Sequence, residues 1–247
     1  MPEDDSRRHS AAHFQRDDIA QVYRARLGYA PEAIHYALRQ AHWHRLRALQ
    51  APDLPETTRP LRILDAGAGT GQVTQAIKAC EIPAEIIALD SSASMLREYR
   101  ADHPDVPSVR GDIDRLPFAD DTFDVVMFGK SLHWGNPELT PREVRRVLRP
   151  GGALVSLNGA IRGGTDLAQA VFSELPSALA ENPMTSAARR GGPLSLGDGF
   201  LPSRQQRFDY YDVMTPAQVR DLLGSLAMLA RAPEDVQARI REGVEAF

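Results

Sequence analysis

The chain has 247 residues, of which 43% are hydrophobic and 25% are charged, a mixture typical of a folded globular protein. Its formal net charge of −4 gives no electrostatic reason to expect a nucleic-acid-binding surface. Cys80 is the only cysteine, so no disulfide forms within the chain, as expected in a reducing cytoplasm. No apolar run reaches the roughly 20 residues that span a bilayer, and MPEDDSRRHS lacks the apolar core of a signal peptide. These features predict a cytoplasmic protein without a nucleic-acid or membrane partner.

Helices are expected first, over residues 11–50, followed by a proline-rich linker over 51–60. Strands and helices then alternate. The predicted strands are 61–66, 85–90, 108–110, 123–129 and 153–158, and the helices among them are 73–80, 92–101 and 139–148. A turn at Pro150–Gly151–Gly152 precedes the last of these strands. Strands that are apolar along their length are typical of a parallel sheet covered on both faces. The sequence therefore predicts a doubly wound, mostly parallel, Rossmann-like α/β fold with an N-terminal helical cap.

The pattern is weaker after Asn158. A helix is predicted over 165–181, a long loop over 187–203, a strand over 207–214 and a final helix over 233–247. Before that last helix, Thr215 caps a helix over 215–230, with Pro216 at its first position. The expected organisation is one compact domain in three segments: a tail and helical cap over 1–58, a ligand-binding core over 59–160, and a variable region over 161–247.

A glycine-rich loop, LDAGAGTGQ at residues 64–72, follows the first strand of the predicted sheet. A strand, a tight turn and a helix N-terminus place backbone N–H groups at the carboxyl edge of the sheet, where ligands bind. The spacing is G-x-G-x-G, one residue shorter than the dinucleotide fingerprint G-x-G-x-x-G. Asp65 would oppose a pyrophosphate but suit a cationic amine. The loop therefore favours a nucleoside ligand that carries an amine.

Acidic residues end the next two strands of the predicted sheet. Asp90 could accept hydrogen bonds from both hydroxyls of a ribose, which suits NAD or an adenosyl ligand equally well. Asp112, together with the backbone of Ile113, could bind the adenine edge. The strand over 123–129 ends in Lys130, Ser131, His133 and Trp134, which would face the reacting end of the ligand.

In order and spacing, these segments resemble the class I S-adenosylmethionine-dependent methyltransferases, in the small-molecule branch that includes enzymes similar to trans-aconitate and ubiquinone/menaquinone methyltransferases. The matching segments are LDAGAGTG, ALDSSASML, GDIDRLPFADDTFDVV, GKSLHW, RRVLRPGGAL, YRARLGYAPE and MTPAQVRDLLGSLAML, and they cover most of residues 20–230. The resemblance implies S-adenosylmethionine as cofactor and a small-molecule acceptor whose identity, and whether O, N or C is methylated, the sequence does not reveal. The arginine- and alanine-rich composition favours a bacterial, specialised biosynthetic role.

The resemblance also implies roles for individual residues. Asp65 would orient the ammonium group of the cofactor, Asp90 would hold its ribose, and Met95 would pack on its adenine. The other positions expected at the cofactor are Gly67, Ala68, Gly69, Gly71, Gln72, Ser91, Asp112, Ile113, Lys130 and Arg26. His133 is the first candidate for a general base or substrate contact, and Tyr23 and Tyr29 are further candidates from the cap, with His13 and His35 also within possible reach. No metal site is predicted.

The sequence departs from the branch at three places. Leu27 and Ala30 stand where proline is usual, and Ala68 replaces a frequent cysteine. The branch normally has a further antiparallel strand after the last helix, for which residues 192–206 are one candidate and loss of the strand is the alternative.

Two other functions are alternatives to methyl transfer. An NAD-dependent oxidoreductase would require the G-x-G-x-x-G spacing and a Tyr-x-x-x-Lys group, and neither is present. A protein that binds S-adenosylmethionine without transferring a methyl group, such as a cyclase or a partner subunit, remains open, as does the oligomeric state.

Overall fold

The computed structural model describes residues 15, 17–24, 26, 28–48, 59–158, 196, 199–209, 215–224 and 234–245. By its internal contacts the chain divides into two compact units. One contains residues 28–157 and 193–210, and the other contains residues 1–27, 158–192 and 211–247. The predicted three-segment organisation stays a prediction.

The larger unit is built on a five-stranded sheet in the order β3-β2-β1-β4-β5, and every pairing in it is parallel. The strands are β1 (Leu61–Ala66), β2 (Ala84–Asp90), β3 (Ser108–Arg110), β4 (Phe123–Gly129) and β5 (Leu148–Leu157). The strand order reverses between β1 and β4, which opens a crevice at their carboxyl ends. The predicted doubly wound α/β fold is confirmed.

The described helices were also largely predicted. They are α1 (Asp17–Tyr23), α2 (Pro31–Ala48), α3 (Gln72–Ala79), α4 (Ala93–Asp102), α5 (Leu139–Val147), α6 (Pro216–Gly224) and α7 (Glu234–Glu245), and a 3₁₀ turn spans Leu132–Trp134. The predicted bounds of α3, α4 and α5 differ from these by one residue.

Helices cover both faces of the sheet. On one face, Ile34 of α2 and Ile77 of α3 pack against Ile63 and Met127. On the other face, Val144 of α5 is part of a cluster with Leu64, Phe128 and other apolar residues of the sheet. The alternation of Ile63 and Leu64 between the two clusters is the two-residue period of a strand that is buried on both sides. The longest described helix of the predicted N-terminal cap, α2, is therefore a core helix of this unit.

The predicted turn at Pro150–Gly151–Gly152 is wrong, because these residues lie inside β5. Phe123 pairs with Leu148 but Val125 pairs with Ala153, so the chain between these two pairs bulges out of register. Gly151 has a φ of +78°, a backbone conformation that suits glycine. A bulge on an edge strand thus has the same composition as a turn.

In the smaller unit, α6 packs against α1 and α7. The predicted cap of α6 is confirmed. The backbone N–H of Gln218 donates to Oγ1 of Thr215 at 3.3 Å, and the backbone N–H of Thr215 donates to Oε1 of Gln218 at 2.8 Å. This reciprocal pair is a capping box.

The remaining element predictions fall wholly or partly outside the described residues. Residues 165–181, 187–195 and 210–214 lie outside them, as does the linker over 51–58. The predicted strand over 207–214 is wrong for its described part, since residues 207–209 are not in a strand. The described part of 192–206 likewise holds no strand. None of the described helices is both long enough and apolar enough to cross a membrane.

Candidate cofactor site

The glycine loop connects β1 to α3 at the carboxyl edge of the sheet. The backbone N–H groups of Gly67 and Ala68 both donate to the Leu89 carbonyl, at 2.7 and 2.9 Å, and thereby tie the loop to β2. Gly67 has a φ of +71°, and a Cβ atom added there would lie 2.5 Å from the Cβ of Ser131. Only glycine fits this position, because both its backbone conformation and the adjacent side chain exclude a larger residue.

Asp65, at the carboxyl end of β1, is completely buried. Its Oδ2 atom accepts hydrogen bonds from the backbone N–H of Thr74 at 3.1 Å and from the Thr74 hydroxyl at 2.8 Å. Its Oδ1 atom, called the orphan oxygen below, has no hydrogen-bond partner among the residues that the structure describes. Burial raises the pKa of Asp65 to about 7, with the charge of Asp90 adding to this and the Thr74 hydrogen bonds opposing it.

Asp90 ends β2 and faces the glycine loop. Its Oδ2 atom accepts from the backbone N–H of Gly69 and its Oδ1 atom from that of Ser92, both at 2.8 Å. Burial raises the pKa of Asp90, although these N–H donors act against the shift. The Ser91 backbone N–H is a further donor to this carboxylate. A carboxylate has about four acceptor positions, so the half-buried group keeps acceptor capacity for a hydroxyl of a ligand.

The segment after Asp90 begins α4. Ser92 caps the helix by accepting a hydrogen bond from the backbone N–H of Met95 at 3.2 Å. Met95 is buried, whereas Ser91 is exposed and its carbonyl accepts from the Arg110 guanidinium at 3.1 Å. These residues follow the end of β2, and their roles at the cofactor stay a prediction.

Asp112 and Ile113 follow β3 at the same edge. Asp112 is exposed, and its carboxylate accepts from the backbone N–H of Asp114 at 2.9 Å. Ile113 is partly buried against the core. Gln72, at the start of α3, donates from its side-chain amide to the Thr70 hydroxyl at 2.9 Å.

The end of β4 brings together two of the predicted site residues. Lys130 has a φ of +55°, and its ammonium lies 5.5 Å from the centre of the Tyr29 ring. Ser131 is buried and donates to the Ala66 carbonyl at 2.6 Å, which joins the end of β4 to the end of β1. His133 is exposed in the 3₁₀ turn, and its ring lies 4.9 Å from that of Trp134.

Other predicted positions are not at this edge or are not tested. Tyr23 and Arg26 belong to the smaller unit, where the Arg26 guanidinium lies 4.2 Å from the Tyr23 ring centre, so their role over the pocket stays a prediction. His13 lies outside the described residues, and His35 is an exposed residue of α2. In the described ranges, no group of three His, Cys, Asp or Glu side chains could hold a metal ion.

Sequence reasoning missed Thr74 and Tyr99. Both are completely buried, and the Tyr99 hydroxyl lies 2.9 Å from the Thr74 hydroxyl that binds Asp65. The sequence signal for Thr74 was that its polar side chain lies between Val73 and Ile77 on the buried side of α3. Buried polar side chains are hydrogen-bonded, so Thr74 needed a partner.

These residues fit S-adenosylmethionine. The orphan oxygen is a buried acceptor suited to an ammonium donor, since a buried carboxylate needs a charged partner. Asp90 keeps acceptor capacity for a ribose hydroxyl.

Comparison with known proteins finds methyltransferases. A family model described as "Methyltransferase domain" matches residues 64–156. An uncharacterized methyltransferase of Mycobacterium tuberculosis is 28% identical over 230 residues, covering 92% of this chain and 82% of the relative. An uncharacterized methyltransferase of Schizosaccharomyces pombe is 30% identical over 187 residues, covering 72% of this chain and 70% of the relative.

Two matches are more local. A demethylmenaquinone methyltransferase of Renibacterium salmoninarum is 39% identical over 95 residues, which are 38% of this chain and 39% of the relative. The crystal structure of an S-adenosylmethionine-dependent methyltransferase from Mesorhizobium loti is 34% identical, with a TM-score of 0.37, over 47% of this chain and 52% of that one. With the matched domain and the similarity that extends over most of the chain, this protein belongs to the class I S-adenosylmethionine-dependent methyltransferases, and S-adenosylmethionine is its cofactor.

Proposed function

We propose that the protein transfers the methyl group of S-adenosylmethionine to a small-molecule acceptor. The observation that carries the proposal is the orphan oxygen of Asp65, which is buried beside a loop whose Gly67 position accepts only glycine. In this proposal Asp65 holds the ammonium group of the cofactor, and Asp90 holds its ribose through the acceptor capacity that its backbone donors leave free.

The glycine loop and the adenine edge complete the cofactor site. Gly67, Ala68 and Gly69 form the wall beside the methionine part, continued by Gly71 and Gln72. Met95, Ser91, Asp112 and Ile113 surround the adenine end. This division is supported by the sheet, in which Asp90 and Arg110 are paired residues at the ends of β2 and β3, far from the end of β4.

The cofactor supplies a methyl group that is already activated by its sulfonium, so the protein's task is to align the acceptor and exclude water. The side chains proposed for this task are those at the end of β4. Tyr29 and Lys130 are in contact there, and His133 follows three residues later. An imidazole can take a proton from an acceptor near neutral pH, so His133 is the proposed base or substrate contact. Tyr23 and Arg26 are proposed as further contacts from the N-terminal segment.

Cofactor binding tests the first half of the proposal. Isothermal titration with S-adenosylhomocysteine should give a clearly weaker affinity for Asp65→Asn than for the unchanged protein. Glu85→Gln is the matched control, because Glu85 is an exposed carboxylate near the start of β2, at the opposite edge of the sheet. Equal affinities for all three proteins would contradict the assignment of Asp65.

Methyl transfer tests the second half. Methyl-labelled S-adenosylmethionine is incubated with a panel of small molecules that offer oxygen, nitrogen or carbon nucleophiles. Labelled product is expected with one chemical class, and His133→Ala should lower its rate while leaving the affinity for S-adenosylhomocysteine unchanged. Tight cofactor binding with no labelled product from any acceptor would instead favour a binding protein that does not transfer methyl groups.

A further inference from the structure

A chain of buried hydrogen bonds runs from α4 to the cofactor site. The Thr74 hydroxyl lies 2.8 Å from Oδ2 of Asp65, and the Tyr99 hydroxyl lies 2.9 Å from the Thr74 hydroxyl. All three residues are completely buried. Tyr99 therefore reaches the carboxylate of Asp65 through one intermediate side chain.

The direction of this chain follows from counting protons. A threonine hydroxyl has one proton, and Thr74 donates it to Asp65. The Tyr99 hydroxyl must then be the donor to Thr74. Burial raises the pKa of Tyr99, which keeps its hydroxyl protonated at any physiological pH.

The Tyr99 ring is itself held against the glycine loop. It packs in a small cluster with Ala68 and Ala88, and its centre lies 5.0 Å from that of the His103 ring. A Cβ atom added to Gly71 would lie 3.1 Å from the Tyr99 ring. The ring thus supports the loop, while the hydroxyl supports Thr74.

The result is a carboxylate with two unequal oxygens. Oδ2 of Asp65 accepts both the backbone N–H and the hydroxyl of Thr74, whereas the orphan oxygen is presented for a ligand. Rotation of the carboxylate would break two hydrogen bonds, and a hydroxyl that itself accepts a hydrogen bond is the stronger donor.

We propose that Tyr99 is a positioning residue for the cofactor: by donating to Thr74 it fixes the Asp65 carboxylate so that the orphan oxygen faces the ammonium group of S-adenosylmethionine. The proposal rests on the role given to Asp65 under Proposed function. In this proposal Tyr99 affects the binding of the amino-acid end of the cofactor and not of its adenosine, and it acts through Thr74 and Asp65 without touching the ligand.

The test compares two ligands with Tyr99→Phe, which keeps the ring and removes the hydroxyl. S-adenosylhomocysteine carries the ammonium group, whereas 5′-methylthioadenosine has the same adenosine and a thioether without it. By titration calorimetry, Tyr99→Phe should weaken S-adenosylhomocysteine about three- to tenfold, the range of one hydrogen bond, and change methylthioadenosine by less than about twofold. Equal losses for both ligands, or no loss for either, would overturn the proposal.

Three further variants test whether the effect of Tyr99→Phe is transmitted through Thr74. Tyr36→Phe is the matched control, since Tyr36 lies on α2 with its ring 5.6 Å from Phe208, and it should change neither affinity. Thr74→Val should weaken S-adenosylhomocysteine selectively and at least as much as Tyr99→Phe. Adding Tyr99→Phe to Thr74→Val should then cause no further selective loss, because the link is already broken. A full additional loss would overturn the proposal.

Asp65→Asn separates the two proposals. If it weakens S-adenosylhomocysteine selectively but Tyr99→Phe does not, the positioning role alone is overturned. If it leaves the affinity unchanged, the assignment of Asp65 fails and the role of Tyr99 fails with it. Unchanged binding of methylthioadenosine shows in each variant that the adenosine site is still folded.

Discussion

At the scale of single residues, Asp65 is held in a state that a folded protein normally avoids. A buried acceptor without a partner costs about 1–3 kcal/mol, and a buried charge costs more. Its pKa of about 7 expresses that cost, since burial disfavours the ionised form. A cationic ligand removes the cost, so the site gains affinity from a penalty already present in the free protein.

This penalty predicts how cofactor binding depends on pH. In the free protein Asp65 ionises at about pH 7, and an ammonium group binds the ionised form. Affinity for S-adenosylhomocysteine should therefore be highest above pH 7 and fall below it, by up to about tenfold per pH unit for one linked proton.

Titration calorimetry between pH 5.5 and 7.5 measures this dependence. Asp65→Asn should have a flatter profile, because the carboxyl whose ionisation is linked to binding has been removed. The facing groups to be considered are Asp90, Thr74 and Tyr99. An identical slope in the variant would contradict the assignment of the proton to Asp65.

Gly67 is the second residue whose environment predicts a large effect. Gly67→Ala places a Cβ atom 2.5 Å from that of Ser131, on a backbone with a φ of +71°. Because positive φ and the clash add, we expect a loss of cofactor affinity of more than about tenfold. Gly28→Ala is the control, since nothing lies within 4 Å of a Cβ atom added there, and its titration should match that of the unchanged protein.

At the scale of elements, the amino-terminal edge of the sheet is held by one buried carboxylate. Asp124 of β4 accepts two hydrogen bonds from the Arg59 guanidinium, both at 2.8 Å, and one from the backbone N–H of Arg62 at 2.9 Å. Arg149 of β5 donates to it at 3.1 Å, and Arg45 of α2 lies 3.7 Å away. This carboxylate joins β1, β4, β5 and α2 at the edge opposite the cofactor site.

Removing the charge of Asp124 should destabilise the protein strongly. Asp124→Asn leaves the buried Arg45 without a counter-charge, and breaking a buried ion pair in this way costs about 3–5 kcal/mol. Arg149→Gln should cost about 1 kcal/mol or less, because Asp124 keeps its other partners. Urea unfolding at pH 7 measures both, and equal effects would contradict the central role of Asp124.

The sign of the pH effect provides a second check on Asp124. Burial alone would raise its pKa, but the hydrogen bonds from Arg59 and Arg62 and the nearby arginine charges lower it on balance. A carboxyl with a lowered pKa contributes stability that is present above the ordinary value of 3.8 and lost as the pH falls through the folded-state pKa.

The strands of the sheet show which features could be predicted from the sequence and which could not. The bounds of β1 and β4 agree with the prediction, because each strand is a mainly apolar run followed by glycine-rich or polar residues. Asp65 and Asp90 could be found for the same reason, since they lie at the carboxyl ends of such runs. The predicted start of β5 was wrong because Pro150–Gly151–Gly152 has the composition of a turn. The pairing of β5 with β4 shows that these residues form a bulge instead.

Side chains supplied by helices were harder to predict. Thr74 and Tyr99 lie 25 residues apart, and helical periodicity shows that each is on a buried face without showing what it meets there. The hydrogen bonds that link Tyr99 through Thr74 to Asp65 depend on how α3 and α4 pack around the end of β1. That is a property of the tertiary structure alone.

At the scale of the whole molecule, the strand order concentrates the ligand-binding groups at one place. β1 is central, with β2 on one side and β4 on the other, so Asp65, Asp90 and the residues after β4 share one edge. The arginine cluster around Asp124 lies at the opposite edge. The buried Asp65, which destabilises the ligand-free protein, and the Asp124 cluster, which stabilises the sheet, thus lie at opposite edges of the larger unit.

Ligand binding should therefore be visible as stability of the folded chain. S-adenosylhomocysteine at 100 times its dissociation constant should raise the free energy of unfolding by about 2.7 kcal/mol, since it binds the folded state alone. For a chain of this size that corresponds to an increase of about 5–10 °C in the unfolding midpoint. Differential scanning fluorimetry should show this increase in the unchanged protein and a smaller one in Asp65→Asn at the same ligand concentration.

NAD should give no increase in the unfolding midpoint. Its pyrophosphate would meet the Asp65 carboxylate, and the loop is one residue shorter than the dinucleotide spacing. An increase with NAD that matches the one with S-adenosylhomocysteine would mean that the adenosine end alone is recognised, and that Asp65 does not select the ligand.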